Sequence, residues 1–153
     1  MSSNSNLIRS IAVPYSIYFL YLEPVFALGG TYLCLFHPEK FVNSTVPVPA
    51  ITLSPTPITP VVQLLLTNIG SLYAMFAIFG GVLLRLTREK TIWLTVICAL
   101  LASDCGHIYA IYQVAPERIS EFMKWSSDEW INYGTLILGA LMRAAFVAGI
   151  GRN

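Results

Sequence analysis

Four stretches of the chain are almost continuously apolar, at about 10–36, 58–84, 91–114 and 130–150, and polar or basic clusters separate them. A helix needs roughly 20 residues to cross a bilayer core of about 30 Å, so each stretch is long enough to span. Backbone N–H and C=O groups cannot be left unpaired in hydrocarbon, which predicts helices rather than open strands. The expected fold class is all-α, an integral membrane bundle of four transmembrane helices forming one domain over 1–153. The first stretch differs from a secretory leader, whose apolar core is about 7–15 residues and ends in a small-residue cleavage pattern. It is longer, carries Glu23-Pro24 in its middle and lacks an A-x-A pattern, so it is expected to be a retained span.

The connections differ in character. Residues 37–57 hold Pro38, Pro47, Pro49, Pro55 and Pro57, with Pro60 opening the next span. That predicts extended backbone. Arg85-Leu86-Thr87-Arg88-Glu89-Lys90 reads as a short basic turn, and residues 115–129 as a polar, acidic loop. Four spans put Arg9, Arg85, Arg88, Lys90 and Arg152 on one side, against Lys40, Arg118 and Lys124 on the other. Basic loops favour the cytosol, so both termini are expected there, in the endoplasmic reticulum or a related endomembrane. Asn43-Ser44-Thr45 matches a glycosylation acceptor but lies close to the end of the first span, and is read as a chance tripeptide.

Composition agrees with this picture and narrows the partners. Of 153 residues 56% are hydrophobic and 11% charged, against roughly 25% charged in a soluble domain. A net charge of +1 argues against nucleic acid as a partner. Cys34, Cys98 and Cys105 lie in apolar stretches without C-x-x-C spacing and are expected to be small buried hydrophobes. The phosphate-loop, dinucleotide, zinc-protease and nucleophile-elbow motifs are all missing. His37 and His107 fall in different regions, which disfavours haem or a multi-histidine metal site. No metal and no cofactor are expected.

Within the spans, each ionisable side chain costs at least about 2.5–3.5 kcal/mol at mid-helix, so each needs a reason. Four occur: Glu23, Asp104, His107 and Arg143. Glu23 and Asp104 each lie 13 residues into spans that start on the same side, roughly 20 Å deep and past the midplane. His107 follows Asp104 by three residues and shares its helix face. Asn68 and Gln63 of the second span, and Trp130, Asn132 and Tyr133 of the fourth, fall in the same layer. A structural reading has Asp104 and His107 fixing helix packing and Glu23 bonding Tyr18, Tyr21 or backbone freed by Pro24. That proline should leave the Leu20 carbonyl unpaired and kink the helix. Arg143, toward the cytosolic half, is expected to snorkel or to pair with a carboxylate or carbonyls. Gly29, Gly30, Gly80, Gly81, Gly139, Ala140, Gly149 and Gly151 suit close helix packing and a homo-oligomer.

Three blocks carry a resemblance. They are Phe19-Leu20-Tyr21-Leu22-Glu23-Pro24 with Gly29-Gly30; Leu84-Arg85, Trp93 and Asp104-Cys105-Gly106-His107-Ile108-Tyr109; and Trp130-Ile131-Asn132-Tyr133-Gly134 leading to Arg143-Ala144-Ala145-Phe146. Over nearly the whole chain they resemble a family of small four-span fungal membrane proteins, largely catalogued as a domain of unknown function. The family pattern has Gly-Ala at Gly29-Gly30 and Leu at Ile108, both conservative departures. The resemblance implies work on fungal polyketides or terpenoids, where similar proteins open epoxides or close rings. The layout is also similar, by architecture alone, to the sterol-isomerase (emopamil-binding) group, whose helices surround a lipophilic substrate with carboxyls and aromatics.

These readings converge on an acid–base enzyme taking a lipophilic small molecule from the membrane lipid, opening an epoxide (by hydrolysis or cyclisation) or isomerising a double bond. The expected catalytic residues are Glu23 as proton donor and Asp104 with His107 as the base unit, with the two roles exchangeable. Tyr18, Asn68, Tyr73, Trp130, Asn132 and Tyr133 are expected to bind the substrate, the aromatic faces steadying positive charge at carbon. A non-catalytic lipid- or sterol-binding protein would use the same pocket. A packing subunit of a membrane complex would have its polar layer closed and no cavity. A channel is disfavoured, since no chain of ionisable groups runs fully across.

Overall fold

The computed structural model describes residues 8, 11–45 and 58–151. Arg9, Arg152, Pro47, Pro49, Pro55 and Pro57 lie outside them. In chain order the helices are α1 (Val13–Phe36), the short α2 (Pro38–Thr45), α3 (Pro60–Leu86), α4 (Lys90–Val114), the short α5 (Pro116–Ser120) and α6 (Ser127–Val147). Helices α1, α3, α4 and α6 are long and apolar enough to cross a membrane, and no strand occurs among the described residues. Within their most apolar windows only 28% of α1 and 22% of each of the other three is buried. Val25, Leu64, Ile131 and Leu141 are among the large apolar side chains left outside, as suits lipid-facing helices.

Local chemistry sets the helix ends. Thr59 Oγ1 accepts from the Val62 N–H at 3.3 Å and Pro60 takes the first turn of α3, where its missing donor costs nothing. Ser126 and Glu129 form a reciprocal capping box, so α6 begins a turn before the apolar pattern does. It ends at Val147, followed by Gly149 and Gly151 at φ 88° and 70°, a left-handed conformation open to glycine. The expected extended backbone after α1 is corrected in part. Pro38 sits at a helix start and no further proline intervenes before Pro47, so residues 38–45 form α2 instead. Arg85 and Leu86 of the expected basic turn are the last residues of α3. Of the cysteines, Cys34 is buried, but Cys98 and Cys105 face outward on α4, contrary to expectation.

Helix α1 packs mainly on α3, and α4 on α6. Near Pro24, α1 widens into a π-turn at Tyr18–Leu22, where the Glu23 N–H bonds the Tyr18 carbonyl. The Leu20 carbonyl, deprived of a donor by Pro24, accepts instead from the Arg85 guanidinium, which lies 4.4 Å over the Tyr21 ring. A second π-turn, Phe79–Leu83 of α3, packs against the first. The approach there is close enough that a Cβ on Gly80 would stand 2.7 Å from the Phe19 carbonyl oxygen, so only glycine fits. The third is at Trp130–Gly134 in α6. Such wide turns rotate all later residues relative to a regular helix, and they often lie beside functional sites.

The bundle has two unlike halves. Around the α3–α4 connection, Phe19, Leu84, Trp93, Ile97 and Phe146 are fully buried. Phe146 meets Tyr15, Phe19 and Trp93 at ring-centroid separations of 5.4, 5.5 and 5.8 Å. The other half is hollow.

Candidate functional site

Three buried ionisable groups from three spans meet between the halves. The π-turn and Pro24 turn Glu23 inward; Asp104 comes from α4 and Arg143 from α6, and these three residues are only 6–7% exposed. Arg143 Nη1 donates to Asp104 Oδ2, and Nη2 stands 2.8 Å from Glu23 Oε1. The second contact is an ion pair outside hydrogen-bond geometry. Neither Glu23 oxygen, nor Arg143 Nε, has a hydrogen-bond partner among the described residues. One guanidinium thus serves two carboxyls, Asp104 through a hydrogen-bonded ion pair and Glu23 through an ion pair alone. Gly139, one turn before Arg143, makes room for it: a Cβ there would lie 2.7 Å from both Arg143 Nη1 and the Tyr18 hydroxyl.

These groups form one wall of a cavity of about 490 Å³, which continues past Tyr73, His107 and Asn132. Exposed Val25, Phe26 and Ile131 belong to its lining, so it reaches the lipid-facing surface. A second space of about 240 Å³ shares Tyr73, His107, Asn132 and Leu136 with it and extends to Thr45 and Tyr133. Helix α2 crosses this end. Asn132 Nδ2 donates to the Ser44 carbonyl, the Tyr133 hydroxyl donates to that of Thr45 at 2.8 Å, and the Phe41 ring stands 6.3 Å from Tyr73.

Glu23, Asp104, His107, Tyr18, Tyr73 and Asn132 all border the larger cavity, and Tyr133 the smaller. Two expected substrate contacts do not. The inward face of α3 runs through Leu66, Gly70, Tyr73 and Ala77, which leaves Asn68 exposed on the other side. Trp130 is 50% exposed and packs on Trp125 at 5.0 Å, outside both spaces. The expected Asp104–His107 base unit is also corrected. Asp104 is drawn to the buried guanidinium, and no hydrogen bond joins it to His107 among the described residues. The His107 ring instead lies near-parallel to Tyr73, 6.5 Å between centroids.

Sequence reasoning assigned Arg143 no part in the site, although it is the only cation at mid-span opposite two acids. That imbalance was the available signal. It also read residues 115–129 as a polar, acidic loop without internal pairing. There Arg118 Nη2 donates to both Glu129 oxygens at 2.6 Å, Nε donates to Oε1 at 3.0 Å, and the Trp125 Nε1–H donates to the Arg118 carbonyl at 2.8 Å. The Ser126-x-x-Glu129 spacing announces half of that arrangement.

A family model described as a domain of unknown function, DUF7704, matches residues 8–153. No curated protein and no solved structure matches the chain.

Proposed function

The chain belongs to the DUF7704 family, a domain of unknown function, and we propose that it is a membrane-embedded acid–base enzyme acting on a lipophilic substrate. The reaction is epoxide opening, by water or by a hydroxyl of the substrate itself, or double-bond isomerisation. The observation that carries this reading is a buried Glu23 carboxyl, ion-paired with Arg143 but without a hydrogen bond among the described residues, beside a lipid-reaching cavity of about 490 Å³. A cavity of 300–1,000 Å³ is the usual size for a small-molecule site.

The division of roles follows from the guanidinium. With both carboxyls ionised, the trio would carry one net negative charge, costly in hydrocarbon, and one proton balances it. Glu23, whose carboxyl accepts no hydrogen bond from the guanidinium while that of Asp104 does, is assigned that proton. In epoxide opening Glu23 gives it to the epoxide oxygen as the C–O bond breaks. The oxygen of water or of a substrate hydroxyl forms the new C–O bond, and its proton passes to His107. Return of that proton to Glu23 completes the cycle without any change of oxidation state. In isomerisation Glu23 protonates one alkene carbon and His107 takes the proton from the carbon next to its neighbour. Tyr18 and Tyr73 offer ring faces to the positive charge that develops. Asp104 acts through Arg143 as a positioning residue.

The family resemblance supports a fungal polyketide or terpenoid intermediate as the substrate. Arg85, Arg88 and Lys90 at one end support an endomembrane orientation with both termini cytosolic. Arg143's hold on both carboxyls would equally suit a protein that binds a lipid or sterol without converting it. The purified chain in lipid nanodiscs, incubated with a panel of terpenoid and polyketide epoxides in heavy-oxygen water, distinguishes these. A diol carrying the label marks hydrolysis, and a product of unchanged mass marks cyclisation or isomerisation. Saturable binding without product marks the binding role. Folded Glu23→Gln or His107→Ala protein with full turnover would refute the assigned roles.

A further inference from the structure

A third cavity, of about 360 Å³, lies beside the packed aromatic cluster at the opposite end of the bundle, where the start of α1 meets the α3–α4 connection. Its walls are of two kinds. Ile11, Leu20, Leu84 and Trp93 form an apolar side, whereas Arg85, Arg88, Ser16 and Thr87 bring cations and hydroxyls. Both arginines fall at the last turn of α3 or just beyond it, at the level where a spanning helix leaves hydrocarbon for head groups.

Hydrogen bonds tie the framework of this cavity together. Trp93 is 2% exposed, and its Nε1–H donates to the Thr87 carbonyl at 2.9 Å, tying the connection to α4. The Glu89 N–H bonds Thr87 Oγ1 at 3.1 Å, and the Ile8 N–H bonds the Arg88 carbonyl at 2.9 Å. Arg85 spends one of its five N–H donors on the Leu20 carbonyl. The Arg88 side chain has no partner among the described residues. Two guanidinium groups, with two hydroxyls and an apolar wall beside them, match an anion attached to a greasy chain. Guanidinium pairs phosphate oxygens in fork geometry, and basic pockets between spanning helices at the membrane surface suit anionic lipid head groups.

We propose that this cavity is a binding site for a phosphate monoester, with Arg85 and Arg88 holding the phosphate. The apolar wall takes the first part of an attached lipid chain. The site is separate from the Glu23 cavity and does not depend on what that cavity does.

The test uses the full chain purified in a neutral detergent and titrated with phosphatidic acid, phosphatidylcholine or inorganic phosphate, with bound species counted by native mass spectrometry. Phosphatidic acid should saturate at one molecule per chain. Arg88→Gln, which breaks no side-chain hydrogen bond or ion pair among the described residues, should weaken it about tenfold, the loss of one charged hydrogen bond. Arg85→Gln should weaken it as well, and lower the unfolding temperature because Leu20 loses its donor. Inorganic phosphate that displaces phosphatidic acid at equal concentration would support the phosphate site and identify a soluble phosphate as its source. Equal binding of phosphatidylcholine, unchanged affinity in Arg88→Gln, or no binding of any of the three would overturn the proposal.

Discussion

The two halves of the bundle are built from the same helices yet answer different demands. Phe146 of α6 and the three aromatic rings around it, from α1 and α4, fill the interior, and Phe19, Phe146 and Ile97 are wholly inaccessible. One or two turns away the same helices separate around about 490 Å³ and turn Glu23, Asp104 and Arg143 toward the gap. Helices in lipid associate through close packing and polar contacts rather than through the removal of apolar surface from water. The packed half therefore supplies the dispersion contacts that hold the bundle. The hollow half is a tolerated defect, closed across its wall by one guanidinium. Stability and chemistry are thus divided along the helix axes, and the paired π-turns of α1 and α3 lie at the boundary.

If that division holds, substitutions in the two halves should differ in kind. The largest effect should come from the boundary itself. Arg143→Met strands two carboxyls and should destabilise by about 3–5 kcal/mol, as for any buried ion pair that loses one member. Adding Glu23→Gln and Asp104→Asn should recover most of the loss, read as unfolding temperature in detergent. Phe146→Ala in the packed half should cost about 3 kcal/mol through the cavity it leaves. Gly80→Ala should cost about 1–3 kcal/mol, because the Phe19 carbonyl oxygen lies 2.7 Å from the added carbon and backbone must move.

Hollow-half substitutions should leave the fold nearly alone. Glu23→Gln keeps the Arg143–Asp104 pair, so its stability should stay within about 1 kcal/mol of the parent while conversion of substrate is lost. The smallest stability change is expected for Gly29→Phe. Gly29 borders the cavity, and a Cβ there would touch nothing within 4 Å. Its ring should occupy the space a ligand needs and leave unfolding unchanged to within about 0.5 kcal/mol.

The architecture was legible because span length and apolar continuity decide it, and the four spans lie within a turn of where the pattern puts them. The meeting of Glu23 and Asp104 at one wall also followed from counting residues along two helices that enter the membrane from the same side. Side-chain pairing did not follow. Counting gives depth, whereas the azimuth of each residue depends on the π-turns, and a single wide turn rotates everything beyond it. That is why Tyr133 points inward while Trp130 does not. Asp104 and His107 share a helix face, but proximity along a helix was outweighed by the buried Arg143, which sequence reasoning had set toward the cytosolic half with a carboxylate as one of its expected partners. The Leu20 carbonyl freed by Pro24 was foreseeable; its partner Arg85, 65 residues away, was not.

The most direct test is the reactivity of Glu23 toward dicyclohexylcarbodiimide, a lipophilic reagent that attacks protonated carboxyls and reaches them from the bilayer. Intact protein in nanodiscs should take up the adduct on the Glu23 peptide and not on Asp104, and Gly29→Phe should slow the reaction at least about tenfold. An unlabelled Glu23, or labelling at the same rate when Gly29→Phe fills the hollow, would contradict a protonated acid facing a lipid-reaching cavity.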